Sequence, residues 1–109
     1  MKEIILAYIT CKSIGEAKSI GKVLLDKKLC ACTNIFPEMH PMFFWPPHSK
    51  TLDEGKEVVL IAKTSDEKYK ELEEEVIKVH SYDVPCILGI PVKYVSERYY
   101  QWLIGEIDG

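Results

Sequence analysis

Short apolar runs recur along the chain with the two-residue alternation that is typical of β-strands. In the first run, Ile4, Leu6 and Tyr8 fall on one face, and the residues between them, which form the other face, are apolar as well. The third and fourth runs share this property, and a strand that is apolar on both faces is usually buried on both. The predicted strands cover residues 3–10, 30–36, 56–64 and 86–92.

Apolar residues at helical spacing fill two of the intervals between these strands and the C-terminal segment. Ser13 and Thr64 each stand three residues before a glutamate, a capping-box pattern that begins a helix. We predict that the first helix ends near Leu29, that the second ends near His80, and that a short third helix begins at Ser96. The residues predicted to face inward are Tyr69, Leu72, Val76 and Val79 in the second helix and Tyr99, Trp102, Leu103 and Ile107 in the third.

The segment between the second and third strands is rich in proline and aromatic residues. Prolines at positions 37, 41, 46 and 47 interrupt regular structure. Residues 42–45, Met-Phe-Phe-Trp, are too apolar for a free loop, so we predict that they form the far arm of a bent strand or hairpin. Residues 48–55 are polar and are predicted to form a solvated turn.

The predicted order of elements is βαββαβ followed by a C-terminal helix. Right-handed crossovers turn this order into an α+β, ferredoxin-like sandwich, in which both main helices cover one face of a four-stranded sheet. The length of 109 residues fits a single domain, residues 1–109. Because the strands are apolar on both faces, the second sheet face must also be covered, and further copies of the same chain are the simplest cover.

Composition and charge exclude several classes of partner and function. The net charge of −3 gives no general attraction to nucleic acid, and no stretch approaches the roughly 20 apolar residues of a membrane span. The acidic run at residues 73–75 is interpreted as the solvated face of a helix. Four cysteines occur without a secretory signal, so we expect reduced thiols and a cytoplasmic protein.

Cys11 lacks the second cysteine that the metal loop of ferredoxin-like copper chaperones requires. No catalytic-triad arrangement, phosphate loop or dinucleotide-binding fingerprint is present, so we expect no enzymatic activity.

Several short motifs, taken in order, resemble the CutA family, which is named for divalent-cation tolerance. The motifs are Leu24-Leu25, Ala31-Cys32-Thr33-Asn34, Phe44-Trp45, Glu57-Val58, Lys63-Thr64, His80-Ser81-Tyr82-Asp83-Val84-Pro85 and Tyr100-Gln101-Trp102-Leu103. The resemblance covers nearly the whole chain. It implies a homotrimer similar to the PII signalling trimers, with sheets packed around a three-fold axis and a long second hairpin that extends onto neighbouring subunits. It also implies a metal-binding or regulatory protein that takes part in the response to divalent cations, copper above all.

The chain departs from the family pattern at four places. Ser81 stands where the family usually has proline, and Pro46-Pro47 replaces the turn that usually follows the tryptophan. A cysteine that is a proposed copper ligand in some members aligns with Tyr8. Cys86 stands where the family often has glutamate, and it is therefore expected to act as a softer metal ligand in its place.

The hinge, residues 80–86, holds an imidazole, a phenol, a carboxylate and a thiol within one short segment. We predict His80, Tyr82 and Cys86 as metal ligands, because imidazole and thiolate groups bind copper and other divalent ions. The alternative interpretation is structural. In that case His80 caps helix carbonyls, Asp83 accepts hydrogen bonds in a turn, and Cys86 packs in the strand.

Two further sets of residues carry candidate metal chemistry. Met39, His40 and Met42 offer two thioethers and an imidazole for copper, or else the tip of a subunit contact. Cys30 and Cys32 project from the same face of the predicted strand and are expected to pack there rather than to bind metal.

A cleft between subunits is the alternative site. The residues predicted to line it are Trp45, Glu57, Lys63, Thr64 and Asp83. Thr64 at a helix N-terminus beside Lys63 suits a small anionic ligand, as in a PII-like signalling module. The competing interpretation is an ion pair of Lys63 with Glu57 or Asp83 that joins subunits. A non-catalytic trimeric scaffold for an unidentified protein partner is the third possibility.

Overall fold

The computed structural model describes residues 1–109, and its centre is a four-stranded antiparallel sheet. In chain order the elements are β1 (Ile4–Cys11), α1 (Ile14–Asp26), β2 (Cys32–Met39), β3 (Met42–Phe44), β4 (Leu52–Glu54), β5 (Glu57–Ser65), α2 (Asp66–Val79), β6 (Ile87–Val92) and α3 (Glu97–Asp108). The sheet order is β2-β5-β1-β6, with every neighbouring pair antiparallel, and β3 and β4 form a separate hairpin. This is the order of a ferredoxin-like α+β sandwich with an extra C-terminal helix, so the predicted fold class is confirmed.

The main core lies between the sheet and helices α1 and α2. Ile9 of β1 pairs with Leu60 of β5, and both side chains are fully buried on this face. Leu24 of α1, together with Leu72 and Val76 of α2, closes the core from the helix side. Apolar burial, at about 25 cal/mol per Å², is the main contribution that holds both helices on the sheet.

The opposite sheet face is only partly covered. Helix α3 covers one end of it, where Tyr100 and Leu103 pack with Ile4. The strand register places six further apolar or aromatic side chains on the uncovered part, called the open face below: Leu6, Tyr8, Phe36, Ile61, Leu88 and Ile90. The sheet is therefore apolar on both faces, as predicted from the strand pattern, whereas the cover of the open face by other copies stays a prediction.

The N-terminus of α1 has the predicted Ser13 cap, and the Glu16 side chain reaches back to the residue before the cap. Ser13 Oγ accepts a hydrogen bond from Glu16 N at 3.1 Å, and Glu16 Oε1 accepts one from Lys12 N at 3.0 Å. The predicted helix end near Leu29 is wrong, because α1 ends at Asp26 and the backbone turns left-handed two residues later, at a φ of 56°.

The second predicted capping box is wrong. Strand β5 continues through Ser65, and Ser65, not Thr64, is the N-cap of α2. Thr64 is fully buried, and its hydroxyl donates a hydrogen bond to the carbonyl oxygen of Leu29 at 2.6 Å. Thr64 therefore joins β5 to the loop after α1 instead of capping a helix.

Three residues predicted to face inward are exposed, namely Val79, Tyr99 and Trp102. In α2 the buried stripe ends at Val76, one turn before the end of the helix. In α3 the buried stripe begins at Tyr100, one residue later than predicted. None of the helices has the length and apolar character needed to cross a membrane.

Glu75 of α2 is nearly buried, although the acidic run that contains it is predicted to be solvated. It accepts hydrogen bonds from Lys27 Nζ at 2.9 Å and from Lys78 Nζ at 3.1 Å. These hydrogen bonds lower the pKa of the Glu75 carboxyl below its ordinary value. Glu75 thus ties α2 to the end of α1, which a charge pattern alone does not reveal.

Strands β3 and β4 form the predicted hairpin, in which Phe44 lies opposite Leu52. The prediction of a solvated turn over residues 48–55 is wrong at its C-terminal end, because β4 finds hydrogen-bond partners in β3. The side chains of Phe44 and Leu52 are exposed. The hairpin, residues 42–54, therefore projects as an apolar arm, and it is called the arm below.

Candidate functional site

A cleft of about 710 Å³ opens between the hinge, the root of the arm and the open face. Small-molecule sites in proteins have volumes of about 300–1,000 Å³. Six of the residues predicted for site roles line this cleft: Met39, Trp45, Glu57, Tyr82, Asp83 and Cys86. The structure therefore unites donors that the sequence suggests for separate sites.

The cleft has an excess of negative charge. Asp53, Glu57 and Asp83 contribute three carboxylates, whereas Lys56 is the one lysine that lines it. Because these charges lie around one concave surface, their combined field favours a cation over an anion.

Tyr82 and Glu57 form the polar contact that organises the cleft. The Tyr82 hydroxyl donates a hydrogen bond to Glu57 Oε2 at 2.7 Å. Burial, and next the Glu57 carboxylate, raise the pKa of the Tyr82 phenol above its ordinary value. The phenol therefore stays a neutral donor at physiological pH, and it fixes the Glu57 carboxylate at the cleft wall.

Cys86 supplies the soft donor of the cleft. Burial, and next the charge of Glu57, raise the pKa of the Cys86 thiol. The thiol is therefore protonated in the absence of a cation, and a metal ion has to displace its proton to bind it. Cys86 lies one residue before β6, and its side chain is half-buried and lines the cleft.

The ring of His80 is held in place by two hydrogen bonds. Its Nε2–H donates to the carbonyl oxygen of Thr10 at 2.8 Å, and its Nδ1 accepts from Tyr82 N at 3.0 Å. Both ring nitrogens are thus engaged, and the ring packs against that of Tyr82 with centroids 4.8 Å apart. His80 does not line the cleft; it anchors the hinge to β1 through Thr10.

His80 instead belongs to a second group, called the hinge cluster below. Ligand atoms of Cys11, Glu16 and His80 all lie within 4.8 Å of one another. Burial, and next the charge of Glu16, raise the pKa of the Cys11 thiol to about 12. Neither Cys11 nor Glu16 is identified from the sequence as a partner of His80, because only the folded sheet brings the start of α1 to the end of α2.

Glu16 connects the hinge cluster to the hinge backbone. Its Oε2 accepts a hydrogen bond from Ser81 N at 3.0 Å. Burial acts to raise the pKa of the Glu16 carboxyl, but the hydrogen bonds from Ser81 and Lys12 outweigh this effect and lower it. The carboxylate is therefore ionised at neutral pH and holds the first turn of α1 against the hinge.

The predicted copper ligands of the arm are not brought together. Met39 lines the cleft, whereas Met42 is exposed and does not line it. His40 Nε2 lies 2.7 Å from Glu54 Oε1, which joins the two sides of the arm root. Within one chain, His40 and Met42 therefore lie outside the cleft.

Lys63 and Thr64 lie at the far end of β5 from Glu57. At about 3.3 Å per residue, Lys63 is roughly 20 Å along the strand from Glu57. The Lys63 ammonium donates to the Tyr99 hydroxyl at 3.1 Å and approaches Cys32 Sγ at 3.8 Å. Neither Lys63 nor buried Thr64 lines the cleft of its own chain, so the predicted five-residue cleft is not assembled within one chain.

All four cysteines are free. The predicted common strand face of Cys30 and Cys32 is wrong, because β2 begins at Cys32 and Cys30 lies in the preceding loop. Cys30 is buried, and burial raises the pKa of its thiol to about 12. The packing role expected for Cys30 therefore agrees with its surroundings.

The fold and the cleft define a class: a small ferredoxin-like α+β protein with an acidic, thiol-bearing cleft beside an open sheet face. The sequence profile of the CutA1 divalent ion tolerance protein family matches residues 5–106. The chain belongs to this family.

Relatives and solved structures agree over nearly the whole chain. The divalent-cation tolerance protein CutA of Archaeoglobus fulgidus is 41% identical over 101 residues, which cover 93% of this chain and 95% of the relative. The solved divalent ion tolerance protein CutA1 of Ehrlichia chaffeensis superposes with a TM-score of 0.90 at 28% identity, over 98% of this chain and 97% of that one. The solved Archaeoglobus fulgidus protein, described as periplasmic, superposes with a TM-score of 0.89 at 36% identity, over 95% and 98% of the two chains.

Proposed function

We propose that this protein is a non-catalytic homotrimer that takes part in the response to and tolerance of divalent cations, and that its cleft binds the cation, with copper as the first candidate. The observation that carries the proposal is the donor set of the cleft. A thiol, a thioether and carboxylates from the hinge, the arm root and β5 line one concave surface. Thiol and thioether ligands favour copper over hard ions such as Mg²⁺.

The charge of the cleft supports a cation as the ligand. Three carboxylates outnumber a single lysine around it. A small anion, the ligand of a PII-like module, would require compensating charge such as Lys63 from a neighbouring copy. A lysine supplied by a neighbouring copy stays a prediction that depends on the trimer, and the charge of the cleft in one chain does not favour an anion.

The open face and the arm support assembly. Both expose apolar side chains, among them Leu88 and Ile90 on the face and Phe44 on the arm. Large exposed apolar surfaces mark interfaces. Closed symmetry lets each copy use the same two surfaces, so we propose that the arm and open face contact neighbouring subunits of a trimer. A scaffold that presents the same surfaces to another protein is the competing proposal.

A reducing compartment such as the cytoplasm is part of the proposal, because the four cysteines are free. A relative described as periplasmic is known in the family, so the thiols need a direct test. Thiol titration of unfolded protein without reductant is expected to find four free groups, and a protected pair would contradict this part of the proposal.

Calorimetric titration of demetallated protein with Cu(II), Cu(I) and Zn(II) tests the cation proposal. We expect saturable copper binding that Glu57→Gln and Cys86→Ser each weaken at least about tenfold, since each removes a cleft donor. Glu54→Gln and Cys32→Ser are matched controls, because neither residue lines the cleft. Equal losses in controls and cleft variants, or no copper binding, would reject the cleft as a cation site and favour the scaffold.

A further inference from the structure

We propose that the chain has a second metal site, in which Cys11, Glu16 and His80 bind a Zn²⁺ ion. Cys11 lies on the helix side of β1, whereas the cleft opens on the other side of the sheet, and none of the three residues lines the cleft. The inference goes beyond the cation role proposed for the cleft and does not depend on any ligand bound there.

The ligand atoms already lie close to the separation that zinc requires. In the hinge cluster they are all within 4.8 Å of one another. With zinc–ligand distances of about 2.0–2.3 Å, two ligands of a tetrahedral ion lie roughly 3.3–3.7 Å apart. A closure of about 1 Å, which side-chain rotation can supply, would turn the hinge cluster into a coordination site.

The surroundings of His80 are those of a metal-binding histidine. A histidine that binds a metal through one nitrogen usually donates its other ring N–H to a carbonyl or carboxylate. The Nε2–H of His80 makes this contact with the Thr10 carbonyl at 2.8 Å. With this contact kept, we assign Nδ1 as the ligand atom, and the Tyr82 N–H that now donates to Nδ1 at 3.0 Å has to move aside.

Glu16 retains capacity for an ion. Each of its carboxylate oxygens accepts one backbone N–H, from Lys12 and from Ser81. A carboxylate oxygen has two lone pairs, so a metal bond can be added without the loss of either hydrogen bond.

The donor types and their burial select the kind of ion. A thiolate, an imidazole and a carboxylate suit Zn²⁺, whereas Mg²⁺ and Ca²⁺ prefer oxygen ligands alone. Cys11 is buried, while Glu16 and His80 are half-buried and leave the ion a path from solvent. Three protein ligands leave the fourth tetrahedral position to water.

Cobalt(II), which takes the place of zinc, provides the test on demetallated protein. We expect visible bands of tetrahedral cobalt and a sulfur-to-cobalt charge-transfer band, both abolished by added Zn²⁺. Cys11→Ser should remove the charge-transfer band and weaken zinc binding at least about tenfold. Cys86→Ser is the matched control, because it removes the cleft thiol and should keep the band.

A second measurement covers the case in which Cys11→Ser does not fold. X-ray absorption at the zinc edge on the Cys86→Ser protein should find one sulfur neighbour at about 2.3 Å. Only nitrogen and oxygen neighbours, or a cobalt band that Cys86→Ser removes and Cys11→Ser keeps, would overturn the inference and leave the cleft proposal intact. Conversely, zinc bound at Cys11 in a protein that binds no copper would reject the cleft proposal alone.

Discussion

Leu88→Lys places an ammonium group on the open face, where the proposed trimer buries apolar side chains. Leu88 is 53% exposed in the single chain, and Phe36 and Ile90 are exposed to a similar degree. Complete burial of such a side chain contributes about 1.5–3 kcal/mol, so the exposed half of each leaves about 1 kcal/mol to be gained on assembly. The three together give about 3 kcal/mol per subunit.

A lysine at this position reverses that gain. It removes the contribution of Leu88, and burial of an unpaired charge costs several kcal/mol. The loss exceeds what the two neighbouring side chains supply, so the trimer is expected to dissociate at micromolar concentration while the subunit keeps its helices and sheet.

Sedimentation velocity, combined with circular dichroism, measures both effects. Ile77→Lys is the matched control, because Ile77 is 55% exposed on α2, away from the open face. We expect trimers for the wild type and for Ile77→Lys, and smaller species for Leu88→Lys. A trimer that persists in Leu88→Lys, or a wild type that sediments as a monomer, would refute the reasoning from the open face.

Three further predictions concern stability and thiol chemistry. Gly89→Ala should lower the urea midpoint by the equivalent of about 1–3 kcal/mol, because the added Cβ would lie 2.8 Å from a ring carbon of Tyr69. Gly55→Ala is the control, because a Cβ at that position meets no atom. Equal midpoints for the two variants would contradict the predicted clash with Tyr69. Glu75→Gln should lower the stability of the folded protein at neutral pH and have little effect on it in strong acid. The lowered pKa of Glu75 contributes stability above its ordinary value of 4.5, and this contribution is lost as the pH falls through the folded-state pKa. A urea-midpoint difference that does not change with pH would contradict this. Burial raises the pKa of Cys30 from 9.0 to about 12, so at pH 8 its thiolate is about a thousandfold rarer than that of an exposed cysteine. Alkylation of Cys30, measured by mass spectrometry, should therefore be slow in the folded protein. Labelling of Cys30 as fast in the folded as in the unfolded protein would show that the thiol is not buried.

The strand alternation and the first capping box are enough to predict the fold. Both depend on local rules, since period-two burial is visible along β1 and β5 and the Ser13 cap needs only its own loop. The second capping box fails for a reason that lies outside local sequence. Thr64 pairs with Ile5 in the sheet and donates to the Leu29 carbonyl, so the helix begins after Ser65, whose side chain makes no capping hydrogen bond.

The site is predictable in part. The hinge and the arm root carry dense functional groups, so the sequence singles out Met39, Tyr82, Asp83 and Cys86 as candidates, and the fold places them around one cleft. The position of His80 is not predictable in this way. Its ring is held by the carbonyl oxygen of Thr10, and Cys11 and Glu16 approach it only after the sheet has formed.

The sequence pattern also does not determine which face of a helix is buried. Tyr99 and Trp102 have the same three-residue spacing as Tyr100 and Leu103, so periodicity cannot decide which pair is buried. Contact with Ile4 at the end of the open face makes that choice. Residues near an interface or at a helix end thus follow tertiary contacts that the sequence pattern leaves undetermined.

Native mass spectrometry of demetallated protein titrated with copper tests the central claim most directly, because one spectrum reports both the number of chains and the number of ions. We expect an assembly of three chains that takes up one cleft ion per chain, and a copper count lower by three in the Glu57→Gln/Cys86→Ser double variant, which should remain a trimer. A monomer, a trimer that takes up no copper, or an unchanged copper count in the double variant would contradict the account.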